Sequence, residues 1–159
     1  MASDSQLQEG QQPHPLDGVR QEAARTTAAQ VRTDLNDLTA RQTALALGAG
    51  WSAAAEETFR QVIGMERKAG LEMRVALGEA GQKFVRYTKS LSDMPLPELQ
   101  AEYAETRQVT LSLLDELLNT PGVKAWTFGE EVPLDIYIVA LRQRLTRLGD
   151  ALAEEKLQD

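Results

Sequence analysis

The segment LDIYIVALRQRLTRLGDAL, residues 134–152, carries apolar side chains at Leu134, Tyr137, Ile138, Leu141, Leu145, Leu148 and Leu152. Steps of three and four residues hold side chains on one face of an α-helix, which turns about 100° per residue; a half-buried strand would need strict alternation instead. The stripe persists for about five turns. It therefore predicts a helix beginning at Pro133 with one buried face.

The same spacing recurs upstream. Leu99, Tyr103, Thr106, Thr110, Leu113, Leu114 and Leu117 mark the inner side of a helix opened by Pro97 and stopped by Thr120-Pro121-Gly122. Before it, a helix is expected from Trp51-Ser52 through Phe59, Val62, Ile63, Glu66, Gly70, Met73 and Leu77, ending near Gly78 or Gly81. Ser52 has the residue type of an N-cap, and Gly64 and Gly70 imply close approach of a neighbouring helix or a ligand. The first helix is expected from about Leu16 to Leu38, on the marks Leu16, Val19, Ala23, Ala24, Ala28, Val31, Leu35 and Leu38.

The remaining stretches read as connections. TARQTALALGAG, residues 39–50, is broken by Gly48 and Gly50; residues 82–94 offer Phe84 and Tyr87 as anchors. PGVKAWTFGEEV, residues 121–132, reads as a long loop whose Trp126 and Phe128 would plug one end of the fold or close over it as a lid. Four long helices, short connections and no strand run predict an all-α, antiparallel four-helix bundle, one domain over residues 15–159. Residues 1–14, MASDSQLQEGQQPH, have almost nothing to bury and are expected to form a flexible tail, with His14 a solvated residue of it.

Composition narrows the chemistry. The 159 residues carry 17 Lys and Arg against 24 Asp and Glu, a formal charge of −7, so a nucleic-acid partner, which calls for a basic stripe, is not expected. No cysteine is present, which removes disulfides, thiolate metal ligands and thiol nucleophiles. No apolar run approaches the roughly 18–20 residues that span a bilayer, and the first fifteen residues lack the layout of a secretory signal, so a cytoplasmic protein without membrane association is expected. There is no Gly-rich phosphate loop, no nucleophile elbow and no internal repeat.

LTARQTALALGAGWS (38–52), VIGMERKAG (62–70), MPLPELQAEYAETRQVTLSLLDEL (94–117) and FGEEVPLDIYIVALRQRLTRLGDAL (128–152), taken in that order, resemble the DinB/YfiT-like superfamily. That superfamily includes thiol-dependent S-transferases and the mycothiol-dependent maleylpyruvate isomerase. The resemblance spans roughly residues 16–153. It implies a four-helix bundle and, in members that bind metal, three histidines: one on the second helix and a pair four residues apart on the fourth. Three imidazoles on zinc or nickel leave a position open for an activated water or a thiolate.

This chain departs from that pattern. Carried over residue by residue, the second-helix ligand falls near Phe59 counting from Trp51, or on Gln61 counting back from Gly64-Met65-Glu66-Arg67. The pair falls on Gln143 and Arg147. Residues 15–159 contain no histidine, so no metal or other cofactor is expected. The acids on the two helices, Glu56, Glu57, Glu66, Asp135 and Asp150, read as ordinary solvated or capping residues, because the Glu-x-x-His motifs of carboxylate-bridged di-metal bundles are missing; Glu66 is the first to consider as a substitute ligand. The resemblance would line the vacated pocket with Gln61, Gln143 and Arg147, and an arginine in place of a metal suits a carboxylate or phosphate. Helical periodicity instead sets Arg144 nearest the Leu141/Leu145/Leu148 stripe, so both assignments stand beside the plainer reading of these arginines as a solvated face of the last helix.

Three function classes follow. One is a metal-free DinB-like domain that binds a small anionic ligand or serves as a stress-related interaction protein. A second is an enzyme using a low-molecular-weight thiol without the histidine site. A third is a ligand-free scaffold. A homodimer is expected from the resemblance. No His, Cys or recognisable Ser or Lys arrangement offers a base or nucleophile, so the first class is favoured.

Overall fold

A computed structural model describes residues 15–78 and 89–157. His14 and the rest of the expected tail lie outside the described residues, as do Phe84 and Tyr87. The described chain is predominantly helical: α1 (Pro15–Ala23), α2 (Ala28–Leu47), α3 (Ala53–Ala76), a 3₁₀ turn (Leu91–Asp93), α4 (Leu96–Leu118), the strands β1 (Lys124–Thr127) and β2 (Glu130–Pro133), and α5 (Leu134–Leu157). No described helix is long and apolar enough to cross a membrane.

The expected first helix is two helices. Thr26 donates its hydroxyl to the Glu22 carbonyl at 2.7 Å, and the Thr27 hydroxyl accepts the Gln30 amide at 3.1 Å. Adjacent threonines thus close α1 and cap α2 in extended backbone. The segment expected to be a connection over residues 39–50 instead continues α2 to Leu47, because Gln42 and Ala46 extend its buried face. Gly48 then ends the helix, and Gly50 takes φ +91° to turn the chain into α3. Ser52 caps α3, accepting the Ala55 amide at 3.0 Å.

The expected long loop over residues 121–132 is a β-hairpin, and Pro133 closes β2 rather than opening the last helix. Thr127 pairs with Glu130, leaving Phe128 and Gly129 as a two-residue turn with φ of +50° and +79°. Positive φ at both turn residues is the geometry whose twist suits tight antiparallel strands. The hairpin neither plugs nor covers the helices with its aromatics. Ala125, Thr127 and Val132 face inward, while Trp126 is 56% exposed and Phe128 is exposed at the tip.

Around the interior, α2 packs on α5, α5 on α3, α3 on α4 and α4 back on α2; α1 and the hairpin lie against α5. The apolar core falls into two clusters. One joins Leu16, Val31, Leu35, Met73, Leu114, Tyr137 and Leu141; the other joins Ala46, Phe59, Ile63, Leu99, Tyr103 and Leu152. On each of the four long helices, a residue of a different kind lies between the clusters: Gln42 on α2, Glu66 on α3, Arg107 on α4 and Gly149 on α5.

Gly149 is explained by Gln42. A Cβ at residue 149 would lie 2.0 Å from Gln42 Nε2, whose amide donates to the Leu145 carbonyl at 2.8 Å. Gly149→Ala is expected to cost about 1–3 kcal/mol, as overpacking does when the obstructing side chain is held by hydrogen bonds. In a Gln42→Ala background the three nearest obstructing atoms, all of the Gln42 side chain, are gone, and the same change should stabilise by up to about 1 kcal/mol through helix propensity. Urea unfolding of the two single variants and the double variant checks this reversal of sign.

Candidate functional site

Two groups of polar side chains stand apart from the rest of the molecule, one sealed inside and one open to solvent. The inner group centres on Arg107 of α4, 2% exposed, and Glu66 of α3, fully buried. Arg107 donates from Nε and Nη2 to the two Glu66 carboxylate oxygens, both at 2.9 Å. It also donates to Thr39 Oγ1 at 3.1 Å, Gln42 Oε1 at 2.7 Å and the Tyr103 hydroxyl at 3.2 Å. Tyr103 donates to Gln42 Oε1 at 3.2 Å, and Thr110 to Glu66 Oε2 at 2.8 Å.

Burial works against the charge on Arg107, but the hydrogen bonds and charge of Glu66 outweigh it, and the guanidinium holds its proton more tightly than usual. Burial pushes the Tyr103 phenol up to about 12, with the Glu66 charge adding to the rise and Arg107 opposing it. The crevice beside Glu66 and Thr110 has a volume of about 20 Å³, the space of one water. This is a satisfied network with no room for a substrate.

The outer group lines a groove of about 500 Å³ between α2 and α5. From α2 come Asp34, Asp37, Leu38 and Arg41; from α5 come Arg142, Gln143, Thr146 and Arg147. Both sets repeat at three- and four-residue steps, so each is one continuous helix face. At one end, Arg142 donates to Asp34 Oδ2 at 2.5 Å and to Glu22 Oε1 of α1 at 3.4 Å. The Glu22 carboxyl is held below its usual range, first by its hydrogen bond from Arg25 and in smaller part by the charge of Arg142. Asp37, Arg41, Gln143 and Arg147 have no side-chain hydrogen bond or ion pair among the described residues.

The four residues proposed from sequence separate. Gln143 and Arg147 meet in this groove. Arg144 turns to the other side of α5, where it pairs with Glu72 of α3 at 3.0 and 3.3 Å and donates to Thr127 Oγ1 at 3.1 Å. The Tyr137 hydroxyl donates to the same Glu72 carboxylate at 3.0 Å, and burial drives its phenol pKa strongly upward. Arg144 thus anchors β1 to α3 and α5. Gln61 is exposed on α3, which does not border the groove.

The positions that the DinB resemblance assigns to metal ligands therefore do not converge, and a guanidinium at Arg147 is no metal donor. Among the described residues no three His, Cys, Asp or Glu side chains gather as a metal-ligating group. Glu66, the foremost substitute ligand from sequence, is instead the bidentate acceptor of Arg107. Trp51 packs on Phe59 with ring centroids 4.9 Å apart, donates to the Gly48 carbonyl at 2.8 Å and carries the Lys156 ammonium 4.3 Å above its ring. It is a packing anchor at the start of α3.

Sequence reasoning missed Arg107, Asp37 and Arg41. A signal existed for the first: Arg107 lies four residues after Tyr103 and three before Thr110, inside the buried stripe of its helix. Arg41 lies beyond Leu38, where the first helix is expected to stop, and Asp37 lies within that helix as a charge off its buried face, with no signal in the spacing that α5 stands beside it.

Because Glu66 is buried and paired, Glu66→Gln should cost about 3–5 kcal/mol by leaving the Arg107 charge uncompensated. Asp34→Asn, at the half-exposed pair with Arg142, should cost no more than about 1 kcal/mol; chemical unfolding at neutral pH compares the two. The tyrosines give a second test. An unfolded chain loses a phenolic proton near the ordinary value of 10, whereas folded Tyr103 keeps it to about 12. Stability that is fully present below pH 10 should decline as pH rises through that interval, and Tyr103→Phe should flatten the decline. Urea midpoints measured from about pH 8 to about pH 11.5 check the slope. Compared with family models, curated proteins and solved structures, the chain matches none of them.

Proposed function

We propose that the protein is a small-molecule binding domain whose α2–α5 groove takes a small anionic ligand, on a four-helix bundle of DinB-like type. The observation that carries the reading is the pair of arginines, Arg41 on α2 and Arg147 on α5, which line one groove with no partner among the described residues. In a chain of formal charge −7, this groove has three arginines against two aspartates, and Asp34 is already engaged by Arg142. Guanidinium groups present planar donors that match a carboxylate or phosphate, and the groove volume lies in the range of small-ligand sites. Support for the DinB-like reading comes from the serial order of the sequence marks and from four long helices arranged around one interior.

Isothermal calorimetry at low ionic strength against small carboxylates and phosphate esters tests the site. Saturable binding is expected, weakened about tenfold or more by Arg147→Ala and by Arg41→Ala, a loss of about 1.4 kcal/mol each. Arg144→Ala should lower stability and leave affinity unchanged. Absence of binding by every anion, or equal binding by the Arg147 and Arg41 variants, rules the groove out.

A further inference from the structure

The groove contains a charge that an anion alone does not satisfy. Asp37 lies on the same face of α2 as Arg41, one turn before it, and it too has no partner among the described residues. A purely anionic occupant would bring its charge to Arg41 and Arg147 and also close to the Asp37 carboxylate, where like charges repel. With Asp34 and Arg142 occupied by each other, the charges left to a ligand are two guanidinium groups and one carboxylate. Their complement is a molecule with two acidic groups and one ammonium.

We infer that the groove selects an amino dicarboxylate, an acidic amino acid carrying a net charge of minus one. This rests on the anion-binding reading above and narrows it. The two acidic groups pair with Arg41 and Arg147 from opposite walls, and the ammonium pairs with Asp37. Gln143 and Thr146 add polar contacts on the α5 wall, and Leu38 with the aliphatic stems of the arginines supplies apolar surface for the carbon chain of the ligand. The chemical basis of selectivity is the cost of leaving a charged group unpaired in a site built for its opposite.

Calorimetry with L-glutamate, glutarate and 4-aminobutyrate separates the components. Glutarate lacks the ammonium and 4-aminobutyrate lacks one carboxylate. L-glutamate should bind the full chain about tenfold or more tighter than either. Asp37→Asn should erase its advantage over glutarate while glutarate binds as well as before or better. Arg147→Ala should weaken both. Asp37, Arg41 and Arg147 are exposed on the groove wall, so each variant is expected to keep its helix content, which circular dichroism checks. If glutarate binds the unaltered protein as tightly as L-glutamate, the amino dicarboxylate is excluded and the anion site stands. If none of the three binds but other small carboxylates or phosphate esters do, the amino dicarboxylate is likewise excluded. If nothing anionic binds, both fall.

Discussion

The pairing of Arg107 with Glu66 is the constraint around which the described fold is arranged. Two ionised groups, each removed from water, are tolerated only when every donor and acceptor is met by a partner in good geometry. Meeting that condition recruits Thr39 and Gln42 from α2 and Tyr103 and Thr110 from α4. Gln42, stretched between Arg107 and the Leu145 carbonyl, then permits no Cβ at residue 149. One ion pair thereby fixes the axial register of four helices. Apolar side chains above and below it would tolerate a slip of one helix along another; a bidentate guanidinium does not.

The same layer limits the free space inside the protein. It divides the apolar interior into two clusters and occupies the space between them, leaving a crevice of about 20 Å³. The interior is thus committed to packing and to one network. On the outside, the α2 and α5 faces carry Arg41 and Arg147, which have no side-chain partner among the described residues. The surface ion pairs tie the peripheral pieces into place: Glu22 joins α1 to Arg142, Arg20 bonds Glu130 of the hairpin, and Glu72 gathers Arg144 and Tyr137 beneath β1.

Much of this was legible in the sequence, for definable reasons. Periodicity locates three of the long helices nearly to their ends, because their apolar stripes resume in register on either side of Glu66, Arg107 and Gly149, and Ser52, Pro95 and Pro97 mark two of the starts. The Thr26-Thr27 break was hidden because the stripe continues across it; the change is made by hydroxyl bonds to backbone that hydrophobic spacing does not register. The hairpin was hidden because its four-residue strands carry only three buried residues between them, Ala125, Thr127 and Val132, and Phe128 is an unusual choice for a turn position with positive φ. Of the residues proposed to bind a ligand, Gln143 and Arg147 share a groove, but its other wall is α2. Helical periodicity puts Arg144 on the flank nearest the stripe; that flank is where the hairpin packs, and Glu72 claims the side chain. Spacing gives an angular position on a helix and is silent about which neighbour stands there.

The inner layer and the outer groove are two sides of the same helix pair. Gln42 reaches inward from α2 beside Arg41, which lines the groove, and the carbonyl it bonds belongs to Leu145, flanked on α5 by the groove residues Gln143 and Thr146. The absence of a side chain at Gly149 lets α2 approach α5, and that approach sets the distance between the two walls that carry Arg41 and Arg147. A groove between two helices held only by apolar contact would vary in width as side chains repacked. Here its width is set from within by a hydrogen bond and a glycine contact, which themselves depend on Arg107. Charge pairing deep in the core therefore preorganises the geometry of unpaired charges at the surface, and such preorganisation reduces the ordering cost when a ligand binds.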